Sequence, residues 1–218
     1  MMQRIISLAL CCAAAAPAVA FDHTVDFESF PGMLNAGGAL IPAGSRLSDQ
    51  LQDSIGISFR SNAPYVAVVN LGTNHATSGT RGIAGSTAAG IISYSASTPI
   101  DFTFWLPTNT AQAAGTNQFS VRGDLRPAGG QMSLTAYDLD DNVIDSVIVT
   151  DTGGDTMVLD SVQKNIHRVR FVGTGNVALD DVSFNSVEAV PEPTTMAALG
   201  VGALALVRRR GKNSSRSR

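Results

Sequence analysis

Met132-Ser133-Leu134-Thr135-Ala136-Tyr137-Asp138 runs into Asp140-Asp141-Asn142 and returns through Val143-Ile144-Asp145-Ser146-Val147-Ile148-Val149. In the first arm Leu134, Ala136 and Asp138 alternate with Ser133, Thr135 and Tyr137, a period of two that suits a pleated strand and no helix. Asn and Asp tolerate positive φ, so the residues between the arms make a turn and the unit reads as a β-hairpin. Acidic turns can bind calcium, but the helix-flanked loop and its glycine are absent here, and a plain turn is expected.

Outward from this hairpin the same signals recur. Val25 to Phe27, Gly56 to Arg60, Tyr65 to Asn70, Ile91 to Tyr94 and Ile100 to Leu106 read as strands on the N-terminal side. Phe119 to Gly123, Gln131 to Asp138, Val143 to Thr150, Thr156 to Ser161, Arg168 to Val172 and Val177 to Phe184 complete the set. In Ile100 to Leu106, Phe102, Phe104 and Leu106 alternate against Asp101, Thr103 and Trp105, which predicts one buried face. Many short strands separated by turn residues mark an all-β sandwich or barrel. The stretch from Asn70 to Ala89, rich in Gly, Thr, Ser and Ala, reads as a long surface loop.

The two ends differ from this body. Arg4 precedes an uncharged run from Ile5 to Ala16, followed by Ala18-Val19-Ala20. Positive charge, apolar run and small residues, in that order, predict a signal peptide cut after Ala20, with Ala18 and Ala20 read by the peptidase. A lipoprotein site at Cys11 is disfavoured because Leu10 stands where a small residue is wanted. Cys11 and Cys12 are the only cysteines, so a chain starting at Phe21 has no disulfide and no thiolate chemistry. Domain limits of 1–20 for the signal peptide, 21–187 for the sandwich and 188–218 for the tail follow.

Between Phe21 and Val187 stand 16 acidic and 8 basic residues, so the body carries about −8 although the whole chain is −3. An acidic body without a basic patch excludes nucleic acid as the expected partner. Catalysis has little support. No nucleophile-elbow serine, zinc-protease, P-loop or dinucleotide motif occurs, and His23, His75 and His167 are isolated in sequence. The chain is expected not to be an enzyme.

The tail reads Val190-Pro191-Glu192-Pro193-Thr194-Thr195, then Met196 to Val207 without a charge, then Arg208-Arg209-Arg210. Prolines fix φ and lack donors, so the segment before the apolar run should be extended and unpaired. As a helix the apolar run spans about 18 to 21 Å, short of the roughly 30 Å hydrocarbon core, with the arginines left on the cytoplasmic side. This order of parts resembles the PEP-CTERM protein-sorting signal of Gram-negative bacteria. The resemblance implies a transient membrane helix and recognition by an exosortase-type transpeptidase that cleaves near Pro191-Glu192-Pro193. It further implies an inner-membrane intermediate, delivery to the cell surface or extracellular matrix, and an association with exopolysaccharide. The basic extension from Gly211 to Arg218 is longer than that pattern usually has.

The last strand of the body breaks its own period. Val177 and Leu179 are two apart, as are Val182 and Phe184, but Leu179 and Val182 are three apart. A β-bulge at Asp180-Asp181 would restore the phase and turn both carboxylates toward an edge. The Asp26-Phe27-Glu28 start and the Ala178-Leu179-Asp180-Asp181-Val182-Ser183-Phe184 end resemble galactose-binding-like jelly rolls, including many carbohydrate-binding modules. That resemblance implies a jelly-roll-like antiparallel β-sandwich, here flanked by an N-terminal signal helix and a C-terminal hydrophobic helix. It also implies a structural calcium between the first and last strands, held by Glu28 and Asp181 with Asp26 and Asp180 in support, and a sugar ligand as the alternative role. Trp105, the only tryptophan, lies opposite the apolar face of its strand and is expected to pack rather than to present its ring.

Overall fold

The computed structural model describes residues 20–34, 39–72, 76–150 and 154–190. Residues 1–19 of the expected signal peptide, His75, Pro191-Glu192-Pro193, the apolar run and Arg208-Arg209-Arg210 lie outside the described residues. Among the described residues no helix is long and apolar enough to cross a membrane.

Among the described residues fourteen strands form nearly all the regular structure. The first seven are β1 (His23–Val25), β2 (Met33–Leu34), β3 (Arg46–Leu47), β4 (Ile57–Arg60), β5 (Val66–Asn70), β6 (Arg81–Ser86) and β7 (Ile92–Ser93). The rest are β8 (Ile100–Leu106), β9 (Asn109–Gly115), β10 (Gln118–Tyr137), β11 (Val143–Val149), β12 (Gly154–Asp160), β13 (Arg168–Phe184) and β14 (Glu188–Ala189). Besides a 3-10 turn at Ala43–Ser45, one short helix, α1 (Gln52–Ile55), precedes β4 and ends on Gly56 at φ 82°. Every strand pair is antiparallel except β2 with β5.

Two long strands make the architecture. β10 and β13 pair from Phe119↔Phe184 to Tyr137↔Arg168. A straight strand of β10's length would reach about 65 Å. Yet Asp160 pairs with Gln118 at one end, and Arg168 pairs with Tyr137 at the other. The connection between Asp160 and Arg168 can reach only about 25 to 30 Å. The pair must therefore fold over, with its ends brought together by the Thr116↔Ile166 bridge and the His167 amide on the Tyr137 carbonyl. The bend falls where the register slips between Arg126 and Gln131, which face Asn176 and Thr174. Glycines stand close beside it. A Cβ on Gly123 would stand 2.4 Å from the Met132 sulfur, and one on Gly173 would stand 2.7 Å from Val177 Cγ2.

Strands that cross from one sheet to the other at a corner give a two-layer sandwich whose hydrogen bonding is continuous. One layer is β11, the second half of β10, the first half of β13, β8 and β4. The other is β12, the first half of β10, the second half of β13, then β6 and β5, with β1 against the end of β13. Phenylalanines fill the space between. Phe102 and Phe104 of β8 meet Phe119 of β10 at ring separations of 5.0 and 6.1 Å, and Phe104 meets Phe184 at 5.2 Å. Phe59 continues the row to Phe102 at 5.6 Å and Phe27 to Phe59 at 6.1 Å. All six are fully buried, each burial stabilising by roughly 1.5 to 3 kcal/mol.

Several expectations change. The stretch Asn70–Ala89 is not one surface loop, because β6 within it is a nearly fully buried strand. Its residues are small for a reason: a Cβ on Gly82 would lie 2.5 Å from the Leu179 carbonyl oxygen, and one on Gly85 would lie 2.3 Å from that of Thr98. The first strand ends at Val25 rather than Phe27, which takes φ 62°. Four expected segments merge into β10 and β13. β9 gave no signal, since Asn109-Thr110-Ala111-Gln112-Ala113-Ala114-Gly115 has almost no β-branched or aromatic residue.

Candidate functional site

The bulge in β13 organises the acidic end of the sandwich. Ser120 faces Ser183 and Arg122 faces Asp180, so Val121 stands opposite both Asp181 and Val182. Asp181 absorbs the extra residue at φ 47°, and Leu179 and Val182 are both fully buried. β1 lies beside Val182, Ser183 and Phe184, with Thr24 Oγ1 2.9 Å from Ser183 Oγ. The chain then turns through Phe27 and sets Glu28 next to the same loop that Asp180 and Asp181 reach.

That loop precedes β6. The amides of Thr77 and Ser78 donate to Asp180 Oδ2 at 2.7 and 3.0 Å, and the Ser78 hydroxyl donates to Asp181 Oδ1 at 2.7 Å. The amides of Thr80 and Arg81 donate to Glu28 Oε1 at 2.8 and 2.7 Å. The Arg81 guanidinium donates to the Glu28 and Phe30 carbonyls. Asp26 Oδ1 accepts from the Glu28 amide at 3.1 Å, and Asp180 Oδ1 from the Asp181 amide at 2.8 Å. Burial lifts the Asp180 carboxyl above its ordinary value, outweighing the amide donors of Ser78, Asp181 and Thr77, and the Asp181 charge adds to the lift.

The structure thus brings Glu28, Asp180 and Asp181 to one loop, while Asp26 caps its own turn. It does not arrange them as the calcium shell expected above. Calcium takes six to eight oxygens, and each of these carboxylates already accepts N–H or O–H donors of the chain. Among the described residues no three His, Cys, Asp or Glu side chains converge on a common point that could hold a metal. In this structure Glu28, Asp180 and Asp181 serve as acceptors that clamp the loop.

The outer face of the first layer carries a second polar group. Asp101 accepts Arg168 Nη1 at 3.1 Å and Arg170 Nε and Nη2 at 2.8 Å each. Arg168 also reaches Asp141 in the hairpin turn at 2.7 Å, holding that carboxyl below the usual range, and lies 4.1 Å over the Tyr137 ring. In the turn, Asp138 accepts the amides of Asp140 and Asn142 and the Asn142 side chain. The described histidines are engaged in packing: His23 tilts against Phe184 and His167 Nδ1 meets the Ala114 carbonyl at 2.8 Å.

Trp105 is half-buried, donates its indole N–H to Ser58 Oγ at 2.9 Å and meets His167 edge-on at 5.8 Å. Arg46 covers Tyr65 at 4.5 Å. Tyr94 packs against a second small core of Ile41, Ala67, Val69, Ala84 and Ile92, and burial pushes its hydroxyl up to about 12.

The tail leaves the sandwich in pairing contact with it. β14 lies on β9 as Glu188↔Gly115 and Ala189↔Ala114, and the Val190 amide donates to the Ala113 carbonyl at 3.1 Å. Lys164 pairs with Glu188 at 2.8 Å. Asp22 accepts the Ser186 amide at 2.7 Å, so the chain's described N-terminal segment lies at the same end. These contacts, invisible as motifs, depend on a two-residue strand with no propensity signal.

Residues 189–211 match the PEP-CTERM protein-sorting motif. No curated protein matches the chain in sequence. Among solved structures it is similar to the C-terminal family 22 carbohydrate-binding module of Clostridium thermocellum Xyn10B, at 15% identity over 69% of this chain and 99% of that one, with a TM-score of 0.37. The CBM22-1 xylan-binding domain of Paenibacillus barcinonensis Xyn10C is 11% identical over 71% and 98%, with a TM-score of 0.34. A module of Cellvibrio mixtus lichenase 5A, solved with cellotriose, is 11% identical over 56% and 88%, with a TM-score of 0.30.

Proposed function

We propose that this chain is an exported, non-catalytic structural or adhesive protein of the cell surface or extracellular matrix, delivered by an exosortase-type transpeptidase into surroundings rich in exopolysaccharide. The observation that supports it is the sorting motif at 189–211, which begins on the last strand of a folded sandwich. The motif marks the chain for export and sorting. The inner-membrane intermediate and the attachment of the mature product belong to the proposal.

The alternative role is a module for one defined glycan. Stacking on a pyranose ring needs an exposed aromatic face; Trp105 is half-buried with its indole N–H bonded to Ser58, an arginine lies over one face of Tyr65 and of Tyr137, and Tyr94 packs against the second core. That favours the structural reading. In the native host, replacing Pro191, Glu192 and Pro193 with alanine is expected to leave full-length protein in the inner membrane. Unchanged gel mobility and unchanged surface display would overturn the proposal. An affinity gel loaded with single polysaccharides should show no saturable retention of residues 21–187, whereas retention by one sugar would establish the module.

A further inference from the structure

We infer that pairing of β14 with β9 masks the sorting signal, and that the transpeptidase acts only on a form in which β14 has come away; this rests on the sorting role proposed above. The pairing runs into the signal itself. Ala189 and Val190 belong to the matched segment 189–211, and Val190, whose amide is bound to Ala113, directly precedes Pro191. An enzyme that transfers a peptide bond grips an extended backbone through its N–H and C=O groups on both sides, as in strand addition. Residues 188–190 cannot satisfy β9 and such an enzyme together.

The opening is local and cheap. β14 has two residues, both exposed, and its one ion pair involves a Glu188 side chain that is 68% exposed. The residues just before it are anchored instead. The Thr116 hydroxyl donates to the Asn185 carbonyl at 2.9 Å, and Val187 packs against the main core. Peeling therefore stops at Val187 and frees three residues. With β14 paired, the six residue steps from Val190 to Met196 reach at most about 20 Å, and release adds about 10 Å more. The bulk of the sandwich can then stand off from a membrane-embedded enzyme.

A reversible lock tests this. Ala114 and Ala189 face each other between hydrogen-bonded positions, where antiparallel Cα atoms lie about 4.5 Å apart and a disulfide can form. In membranes of the native host, full-length Ala114→Cys/Ala189→Cys protein is expected to be processed about ten-fold more slowly when oxidised, and at the wild-type rate once reduced. Glu188→Pro, which removes an amide facing β9, is expected to accelerate processing. An oxidised lock processed at the wild-type rate would overturn the inference. Should the reduced double variant also resist processing, Glu188→Pro decides, and no acceleration counts against masking. Loss of the sorting role itself would appear separately, as wild-type processing of the triple-alanine Pro191-Glu192-Pro193 variant.

Discussion

Gly82 and Asp180 show how single residues set this end of the sandwich. Gly82 has no room for a methyl group, because the nearest atom is a backbone carbonyl oxygen that cannot step aside. Gly82→Ala is expected to destabilise by about 1 to 3 kcal/mol, read as a lower urea midpoint. Asp180 is expected to act through pH. Its carboxyl is raised above its ordinary value by burial, so the folded state favours the protonated form. The stability this group contributes is fully present below its unfolded pKa and is lost as pH rises through the lifted folded value. Asp180→Asn should flatten that part of the stability profile relative to wild type. Parallel profiles for the two proteins would show that Asp180 does not titrate there.

At the scale of elements, β13 is two regular half-strands joined by a bend and interrupted by a bulge. Deleting Asp181 would leave Leu179, Val182 and Phe184 in strict alternation and give Val121 a single partner. The shortened chain is expected to fold cooperatively while losing the Ser78 contact, so that amides 77 and 78 exchange faster with solvent. A failure to fold would mean that the bulge sets the twist the sandwich needs. The irregular spacing of Leu179 and Val182 made this bulge legible in the sequence. β6 was not legible. Its residues are chosen for close approach to Leu179 and Thr98, and a run of Gly, Ala and Ser chosen for that purpose looks like a loop.

Over the whole molecule, β1 meets the end of β13, and both described ends leave from one side. Three carboxylates meet a single loop, whose amides donate to Glu28 and Asp180 and whose Ser78 hydroxyl donates to Asp181. Because those donors come from the chain, calcium or a chelator is expected to leave the melting temperature unchanged. A rise with calcium would show that an ion displaces the clamp. The sequence by itself determined the sorting tail, the β class and the buried face of β8, because charge order, proline placement and a period of two are local properties of the chain. The fold-over of β10 on β13, the burial of β6, the partners of Glu28 and Asp181, and the docking of β14 were decided by the tertiary structure alone. Each depends on which backbone approaches which, over separations of tens to more than a hundred residues, and no local pattern encodes that approach.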